Sequence, residues 1–453
     1  MLPGLSTCSL IPKRDEKNTE VDIVCMGCSK NLVDAERLAQ QLDAVGYQTN
    51  FDPKRPKGKI VIINTCGFIG DAKEESIEQI LKYADAKKKG TIEKLFVMGC
   101  LSERYMKDLE MEIPEVDKYY GKFSWKDIVA DLGAKYQEDK ASQRKISTPK
   151  HYAYIKIAEG CNQHCAYCAI PLITGKYQSR PMEAIVSEVE WLVTQGVKEF
   201  QIIAQDLTYY GKDLYGEYKI AELVERISDV KGVEWIRLHY AYPTNFPYDL
   251  LRVIRERDNV CKYLDIALQH ISDEVLKNMH RRITKQETID LIKRIREEVP
   301  GICLRTTLMV GFPGETREQF NELLDFVRET RFDRMGAFAY CEEEGTPSAK
   351  MKDDVPQEEK KRRVDVVMSM QEQIMTELTE AKVGKTLKVI IDRCDDQYYI
   401  GRTEFDSPEV DTEVLIKKED CGRLKKGEFY DVDIYGDDFG DLLGRVCGPS
   451  NKN

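Results

Sequence analysis

The sequence predicts a multidomain α/β protein: a parallel α/β N-terminal domain, a partial (βα)6 barrel and a small C-terminal antiparallel β-barrel. Three observations carry that reading. Strand-like and helix-like patterns alternate from Val21 to Ala141, which makes a parallel sheet with helices on its faces. Six further strand–helix repeats run from His151 to Glu380, two short of a closed eightfold barrel. Short strands separated by turn residues fill Lys382 to Cys447. A chain of 453 residues is too long for one ordinary domain, and at 42% apolar it can bury several cores.

Residues 1–20 contain Leu-Ser-Thr-Cys-Ser-Leu-Ile, too short and polar for the apolar region of a signal peptide, and read as a disordered tail. The first domain, residues 21–141, offers strands at 21–26, 59–64, 94–98 and 116–120, with helices at 34–45, 71–83, 102–109 and 124–132. Three cysteines stand just after strands and beside glycine: Cys28, Cys66 and Cys100. In a parallel sheet the strand C-termini share one edge, where ligands bind, so the three can meet as a three-thiolate site. Each alone also reads as a small buried residue. Cys25 makes a Cys-x-x-Cys with Cys28, but it lies inside the strand pattern and is expected to pack.

Residues 137–150 are polar and charged and read as a linker. The second domain, residues 151–380, offers strands at 152–158, 199–205, 233–240, 263–269, 303–311 and 335–341. Helical patterns lie between them, at 184–194, 221–227, 249–256, 285–297 and 318–329, and a closing helix spans 357–381. Directly after the first of these strands comes Cys161-x-x-x-Cys165-x-x-Cys168, at the mouth where such barrels place their sites. Three thiolates on a four-iron cube leave one iron open, since a cube takes four ligands. The spacing also suits a structural zinc knuckle with His164 or a distant fourth ligand.

Other candidates fall at later strand ends: Gln205-Asp206, His239-Tyr240, Gln269-His270, and the turn Gly311-Phe312-Pro313-Gly314-Glu315-Thr316. Glycines there let backbone approach a nucleotide-like cofactor, while Thr316 serves equally as a helix N-cap. Gln205, Gln269, Gly311 and Gly314 are the candidate cofactor contacts. The five histidines are too scattered for a catalytic set, and His270 reads as a hydrogen-bonded structural residue. Glu342-Glu343-Glu344 reads as a solvated acidic loop. No catalytic side chain is expected beyond the metal centres.

The third domain, residues 382–447, has strands at 386–391, 398–402, 413–416 and 430–435. It holds 11 basic and 16 acidic residues, a net of −5, within a chain of net charge −11. A dedicated nucleic-acid binder would show a basic excess, so direct RNA binding is not favoured and a basic protein partner is. The apolar runs are strand-sized, so no membrane span is expected. Fourteen cysteines with no secretory signal point to metal ligation in a reducing, cytoplasmic setting.

The three-cysteine loop after the first barrel strand resembles the radical S-adenosylmethionine (SAM) enzymes. Three further cysteines in a preceding α/β domain, with a small β-barrel behind that is similar to a TRAM domain, narrow the resemblance to the methylthiotransferases. It covers Val21 to Val446. Within that family, four stretches resemble the branch that modifies an aspartate of small-subunit ribosomal protein twelve: Gly27-Cys28-Ser29-Lys30-Asn31-Leu32-Val33-Asp34, Asn64-Thr65-Cys66-Gly67-Phe68-Ile69, Gly160-Cys161-Asn162-Gln163-His164-Cys165 and Leu264-Asp265-Ile266-Ala267-Leu268-Gln269-His270. The sister branch acting on isopentenyl-adenosine in tRNA typically reads Gly-Cys-Gln-Met-Asn at the first. The resemblance implies SAM and two 4Fe-4S clusters, one on Cys161, Cys165 and Cys168 and an auxiliary one on Cys28, Cys66 and Cys100. It implies a methylthio group added to the aspartate β-carbon, with an outside sulfur donor and a low-potential electron donor. The alternatives are a tRNA methylthiotransferase and a non-catalytic two-cluster electron carrier. One departure is local: relatives often carry Arg-Gly where this chain has Thr174-Gly175-Lys176.

Overall fold

The structure, a computed structural model, describes residues 20–438 and 440–449. The proposed tail therefore lies outside the described residues, except that Glu20 opens the first strand. Contacts divide the chain into two compact units that meet between Lys145 and Ile146.

The first unit runs β1 (Glu20–Cys25), α1 (Ser29–Ala44), β2 (Gln48–Phe51), β3 (Ile60–Thr65), α2 (Gly70–Lys88), β4 (Lys94–Gly99), α3 (Cys100–Glu112), β5 (Lys118–Tyr119) and α4 (Trp125–Asp131). Its sheet is parallel throughout, in the order β2-β1-β3-β4-β5. Period-two alternation sends Val21, Ile23, Ile60, Ile62, Phe96 and Met98 to a face covered by α1 and α4. Val61, Ile63, Leu95 and Val97 go to the opposite face, covered by α2 and α3. Helices on both sides explain why β3 is buried at every residue and reads as an unbroken apolar run.

Within the stretch 137–150, residues 137–145 pack onto the first unit. Arg144 is buried and donates to Glu36 Oε2 at 2.6 Å, Lys145 N–H donates to Glu36 O, and Lys145 Nζ reaches Thr49 O at 2.7 Å. Long cationic stems cover apolar surface while their heads find partners, so a polar composition here makes a strap across α1 and β2.

The second unit opens with β6 (Tyr152–Lys156), β7 (Ala158–Glu159), α5 (Ile170–Thr174), β8 (Gln178–Ser179), α6 (Met182–Thr194), β9 (Glu199–Ile203) and α7 (Ile220–Ser228). It continues with β10 (Trp235–Ala241), α8 (Asp249–Glu256), β11 (Val260–Gln269), α9 (Asp273–Asn278), α10 (Lys285–Glu298), β12 (Cys303–Val310), α11 (Arg317–Thr330), β13 (Arg334–Ala339) and α12 (Gln357–Glu380). Strands β6-β9-β10-β11-β12-β13 form one open parallel sheet in chain order, the predicted six-unit partial barrel. Five strands then close a small barrel in the order β14-β15-β16-β18-β17: β14 (Thr386–Cys394), β15 (Tyr398–Thr403), β16 (Val414–Lys417), β17 (Phe429–Asp438) and β18 (Asp441–Pro449). All pairings are antiparallel except β16 with β18. The unpredicted β18 is interrupted by Gly444, where a Cβ would lie 2.3 Å from Val432 Cγ1; closure of the barrel demands glycine there.

The small barrel is fastened to the N-terminal ends of the core strands by buried ion pairs. Glu199, at the start of β9, accepts from Arg402 Nη2 at 2.7 Å and from Arg237 Nε at 3.2 Å. Asp392 accepts from Arg402 Nε at 2.6 Å and contacts His151 Nε2 at 2.7 Å. Asp406 accepts from Arg334 at 2.5 Å, Asp411 pairs with Arg305, and Tyr152 donates to Glu409 at 2.8 Å. Three of the third domain's acids, Asp392, Asp406 and Asp411, are thus turned inward. Its net charge does not describe its outer surface, so the total is no argument about RNA.

Burial pushes the Asp406 carboxyl up, but the Arg334 guanidinium and Lys382 outweigh it and hold the group at about 2. An unfolded aspartate titrates near 3.9. The native pKa is the lower one, so the stabilisation is complete above roughly pH 4 and is lost as pH falls toward 2. Such a shift corresponds to roughly 2–3 kcal/mol. Urea midpoints at pH 5 and pH 2.5 should therefore differ less in Asp406→Asn than in the wild type. Equal pH dependence in the two proteins would contradict this.

Candidate metal and cofactor centres

In the second unit the two-residue ribbon of β7 and β8 clamps both ends of the cysteine loop, pairing Ala158 with Ser179 and Glu159 with Gln178. Gly160 sits at φ +72°, and a Cβ there would lie 2.1 Å from Lys176 O, so only glycine lets the loop close. Lys176 contributes that carbonyl while standing exposed. Inside the loop, Ala166 N–H donates to Met279 O and Ser348 N–H donates to Ala166 O, both at 2.9 Å. The turn is thus held from two sides.

The three thiols lie within electrostatic reach of one another. Burial first pushes Cys161 and Cys168 up to about 12; Asp206 and then Cys165 add to it at Cys161, and Cys165 and then Cys161 at Cys168. Cys161 Sγ accepts from Gln163 N–H at 3.5 Å. Cys165 Sγ faces Tyr242 Oη at 3.6 Å and accepts from Arg281 Nη1 at 3.7 Å. Arg281 is buried and stacks 4.1 Å from the Tyr242 ring centroid. Gln163 Nε2 donates to Asp206 Oδ2 at 2.7 Å, tying the loop to the residue after Gln205. Gln205 itself is half-buried just beyond β9.

Gln269 ends β11 at φ +72°, and its Oε1 is buried without a hydrogen-bond partner among the described residues. A buried acceptor left open at a strand end needs a donor from outside the chain. Five of the eight described non-glycine residues with positive φ (His164, Tyr240, Asn245, Gln269 and His280) belong to the cysteine loop, to the ends of β10 and β11 or to the segments that follow them. Such strain collects where function over-determines the backbone. Gln269→Leu should weaken SAM binding about tenfold, the worth of one hydrogen bond, at unchanged iron content. Equal affinity by titration calorimetry would remove Gln269 from the site.

Two other expectations at the strand ends need correction. Gly311 N–H donates to Glu315 Oε2 and Gly314 N–H donates to Asp354 Oδ1 at 2.7 Å, so neither amide is open to a ligand. Thr316 instead caps α11 in a reciprocal pair with Gln319. Glu343 is buried, and its carbonyl accepts from Thr346 Oγ1 at 2.6 Å, so the acidic triplet is not simply solvated. His270 is buried, with Nδ1 accepting from Ser272 N–H at 3.0 Å; burial and then Arg363 push it down to about 3.

In the first unit, Cys28 caps α1 after β1, Cys66 follows β3, and Cys100 opens α3 after β4. The parallel order β1-β3-β4 sets them side by side, close enough that Cys28 and Cys66 raise the Cys100 thiol and Cys28 raises that of Cys66. Asn31 binds the edge together. Its Nδ2 donates to Met26 O at 3.1 Å and Thr65 O at 2.9 Å, and its Oδ1 accepts from Cys100 Sγ at 3.5 Å. Gly27 sits at φ +86°, where a Cβ would come within 2.7 Å of Cys66 Sγ. Burial pushes Cys100 up to about 12 against the pull of Lys122. Cys25 packs toward the α1 face and donates its N–H to Asp52 at 2.8 Å.

No three His, Cys, Asp or Glu side chains among the described residues stand close enough to share one ion. A cube gives each thiolate its own iron, so its sulfurs need not converge on one point. A donor set of thiols alone is also the one iron–sulfur clusters take.

Residues 155–327 match the radical SAM superfamily, residues 20–121 the uncharacterized protein family UPF0004, and residues 383–447 the TRAM domain. Proteins named ribosomal protein uS12 methylthiotransferase RimO are similar over nearly the whole chain. Those of Bacteroides fragilis and Bacteroides thetaiotaomicron are 60% identical over 431 residues, 95% of this chain and 100% and 99% of theirs. That of Cytophaga hutchinsonii is 49% identical over 433 residues, 96% of this chain and 99% of its own. The chain belongs to the RimO family. RimO membership makes it a radical SAM methylthiotransferase, with SAM and a 4Fe-4S cluster as cofactors. Two solved structures of the radical SAM methyltransferase TsrM from Kitasatospora setae share the fold. Their TM-scores are 0.51 and 0.53 at 15% and 14% identity, covering 73% and 83% of this chain and 77% and 79% of theirs. Among the described residues no helix is long and apolar enough to cross a membrane.

Arg281 and Tyr242 are the neighbours that sequence reasoning missed. Arg281 lies 116 positions from Cys165, in a polar run after α9 that carries no motif.

Proposed function

We propose that this protein adds a methylthio group to the β-carbon of an aspartate in ribosomal protein uS12, using two 4Fe-4S clusters and SAM. The observation that carries the reading is the 60% identity over 95% of the chain to proteins named for that reaction. Cys161, Cys165 and Cys168 would hold the cluster that takes SAM at its remaining iron. Cys28, Cys66 and Cys100 would hold the auxiliary cluster that carries the sulfur. The two all-thiol sets, the space left by Gly27 beside Cys66 Sγ and the open Gln269 acceptor suit these groups.

When bound, cluster and SAM supply a carbon radical able to take hydrogen from an unactivated C–H bond, chemistry no side chain offers. The chain's own residues do the rest. Arg281 places a positive charge against Cys165 Sγ. Gln163 and Asp206 fix the loop. Gln269 offers its oxygen to an N–H or O–H of the cofactor. Asn31 holds two strand ends and the Cys100 thiol, and with them the second trio, in register. The sulfur source and a low-potential electron donor come from outside the chain.

Anaerobic reconstitution should load about eight irons per chain, four to each cube. The loaded protein should then modify purified uS12 and leave a tRNA anticodon stem-loop untouched. Modification of the tRNA alone would overturn the substrate, and zinc uptake without SAM cleavage would overturn the clusters.

A further inference from the structure

Strands β1, β3, β4 and β5 of the first unit run parallel, so their C-terminal ends lie along one edge of the sheet. The first three of those ends lead to Cys28, Cys66 and Cys100. The fourth leads to Tyr120-Gly121-Lys122. That turn is sewn to the first turn of α3, which Cys100 opens. Ser102 Oγ donates to Tyr120 O at 2.8 Å, and Lys122 N–H donates to Glu103 Oε2 at 2.8 Å. A Cβ on Gly121 would come within 2.5 Å of the same Glu103 oxygen, so the missing side chain lets the turn lie this close. Lys122 is only 2% exposed, and its Nζ stands 5.4 Å from the centre of the Phe123 ring. After burial, its charge acts on the Cys100 thiol more strongly than any other group, ahead of Cys28 and Cys66. Acids act the opposite way. Asp34, itself buried, raises Cys100, and Glu75 raises Cys66.

Lysine is almost never buried this far unless a charge answers it. We propose that Lys122 is a positioning residue for the second trio: its ammonium supplies the positive charge that lets the centre on Cys28, Cys66 and Cys100 take a further anionic sulfur ligand, a hydrosulfide. The proposal rests on the cluster assignment above. Three thiolates weigh the centre toward negative charge, and an anionic sulfur adds to it. A buried aspartate opposes that addition, and a desolvated ammonium acting on Cys100 offsets it. The sulfur enters as the anion and gives an electron pair to the metal. Lys122 keeps its protons, and nothing is oxidised or reduced. An ammonium carries three donors and holds several acceptors at once, so the role asks for its charge and not for a vacant pairing. A lysine that only buried its stem along apolar surface would not tell a charged ligand of the centre from a neutral one.

The test uses the full-length chain carrying C161A/C165A/C168A as parent, so that anaerobic reconstitution loads the second trio alone, with about four irons per chain. Sodium hydrosulfide is the anionic probe and imidazole the neutral one. Each is titrated against the change it makes in the electron paramagnetic resonance spectrum of the reduced centre. Adding Lys122→Met to the parent should weaken hydrosulfide binding about tenfold and lower the reduction potential, while imidazole binding stays within about threefold. Lys122→Arg keeps the charge and should hold hydrosulfide affinity within about threefold of the parent. Lys122→Gln takes the place of Lys122→Met should the latter load less iron. Equal hydrosulfide affinity in the parent and the neutral variant would overturn the proposal. So would an equal loss of hydrosulfide and imidazole, the result of a disturbed fold. A parent that takes up no iron overturns the cluster assignment and the proposal with it, whereas a loaded parent indifferent to Lys122 overturns the proposal alone.

Discussion

Cys165→Ala is expected to abolish the cleavage of SAM to 5′-deoxyadenosine, while Cys66→Ala is expected to leave cleavage intact and stop methylthiolation. The division follows from where the thiols lie. Cys161, Cys165 and Cys168 share one loop of the second unit, closed by the β7–β8 ribbon. Cys28, Cys66 and Cys100 lie along the sheet edge of the first unit. On the proposed assignment, loss of Cys165 removes one of three cluster ligands, and it leaves Arg281 facing a methyl group. A cube with two protein ligands is not retained, so the effect is loss of the step and not a slower rate. Loss of Cys66 does not touch the second unit's loop. Reductive cleavage without substrate, read by chromatography of 5′-deoxyadenosine, separates the two. Wild-type cleavage in Cys165→Ala would overturn the assignment, and so would loss of cleavage in Cys66→Ala at full iron content of the remaining cluster.

The second large effect belongs to Glu199. Burial pushes its carboxyl up, but Arg402 and Arg237 outweigh burial and leave it below the ordinary range. Glu199→Ala leaves two buried guanidinium groups short of their shared anion, one at the base of the core sheet and one in the small barrel. Removing one partner of a buried ionic set costs about 3–5 kcal/mol, because the remaining charges stay desolvated. Urea unfolding followed by tryptophan fluorescence should show that loss, since Trp235 packs edge-on against Phe429 of the barrel at 4.8 Å between centroids. Limited proteolysis should then cut near residues 381–385, where α12 gives way to β14. A change under 1 kcal/mol would mean that Asp392, Asp406 and Asp411 hold the junction without Glu199.

Much of this architecture was legible because burial writes itself into residue type. Ile60 to Ile63 announces a strand covered on both faces, and six such runs between helices announce the open core. The cysteines stood out as candidates because Cys28, Cys66 and Cys100 each follow a strand beside glycine, and Cys161, Cys165 and Cys168 share one loop after a strand. What stayed hidden depends on partners. Asn31 looks like part of a family signature, and only the fold shows that it joins two strand ends and a thiol. Arg144 has the composition of a linker and the behaviour of a buried ion. β2, Gln-Thr-Asn-Phe, is an edge strand with no apolar alternation to betray it. β18 is hidden by Gly444, the residue that lets the small barrel close. Gly311 and Gly314 show the reverse error. A glycine turn before a helix looks ready for a ligand, and here its amides are taken by Glu315 and Asp354.

The most direct test of the central claim is mass spectrometry of ribosomal protein uS12 from cells with and without this gene. A methylthio mass shift on one aspartate, present in the parent and absent in the deletion, is the predicted result, and restoration by the wild-type gene but not by Cys66→Ala would complete it. An unmodified uS12 in the parent, or a shift that survives the deletion, would contradict it.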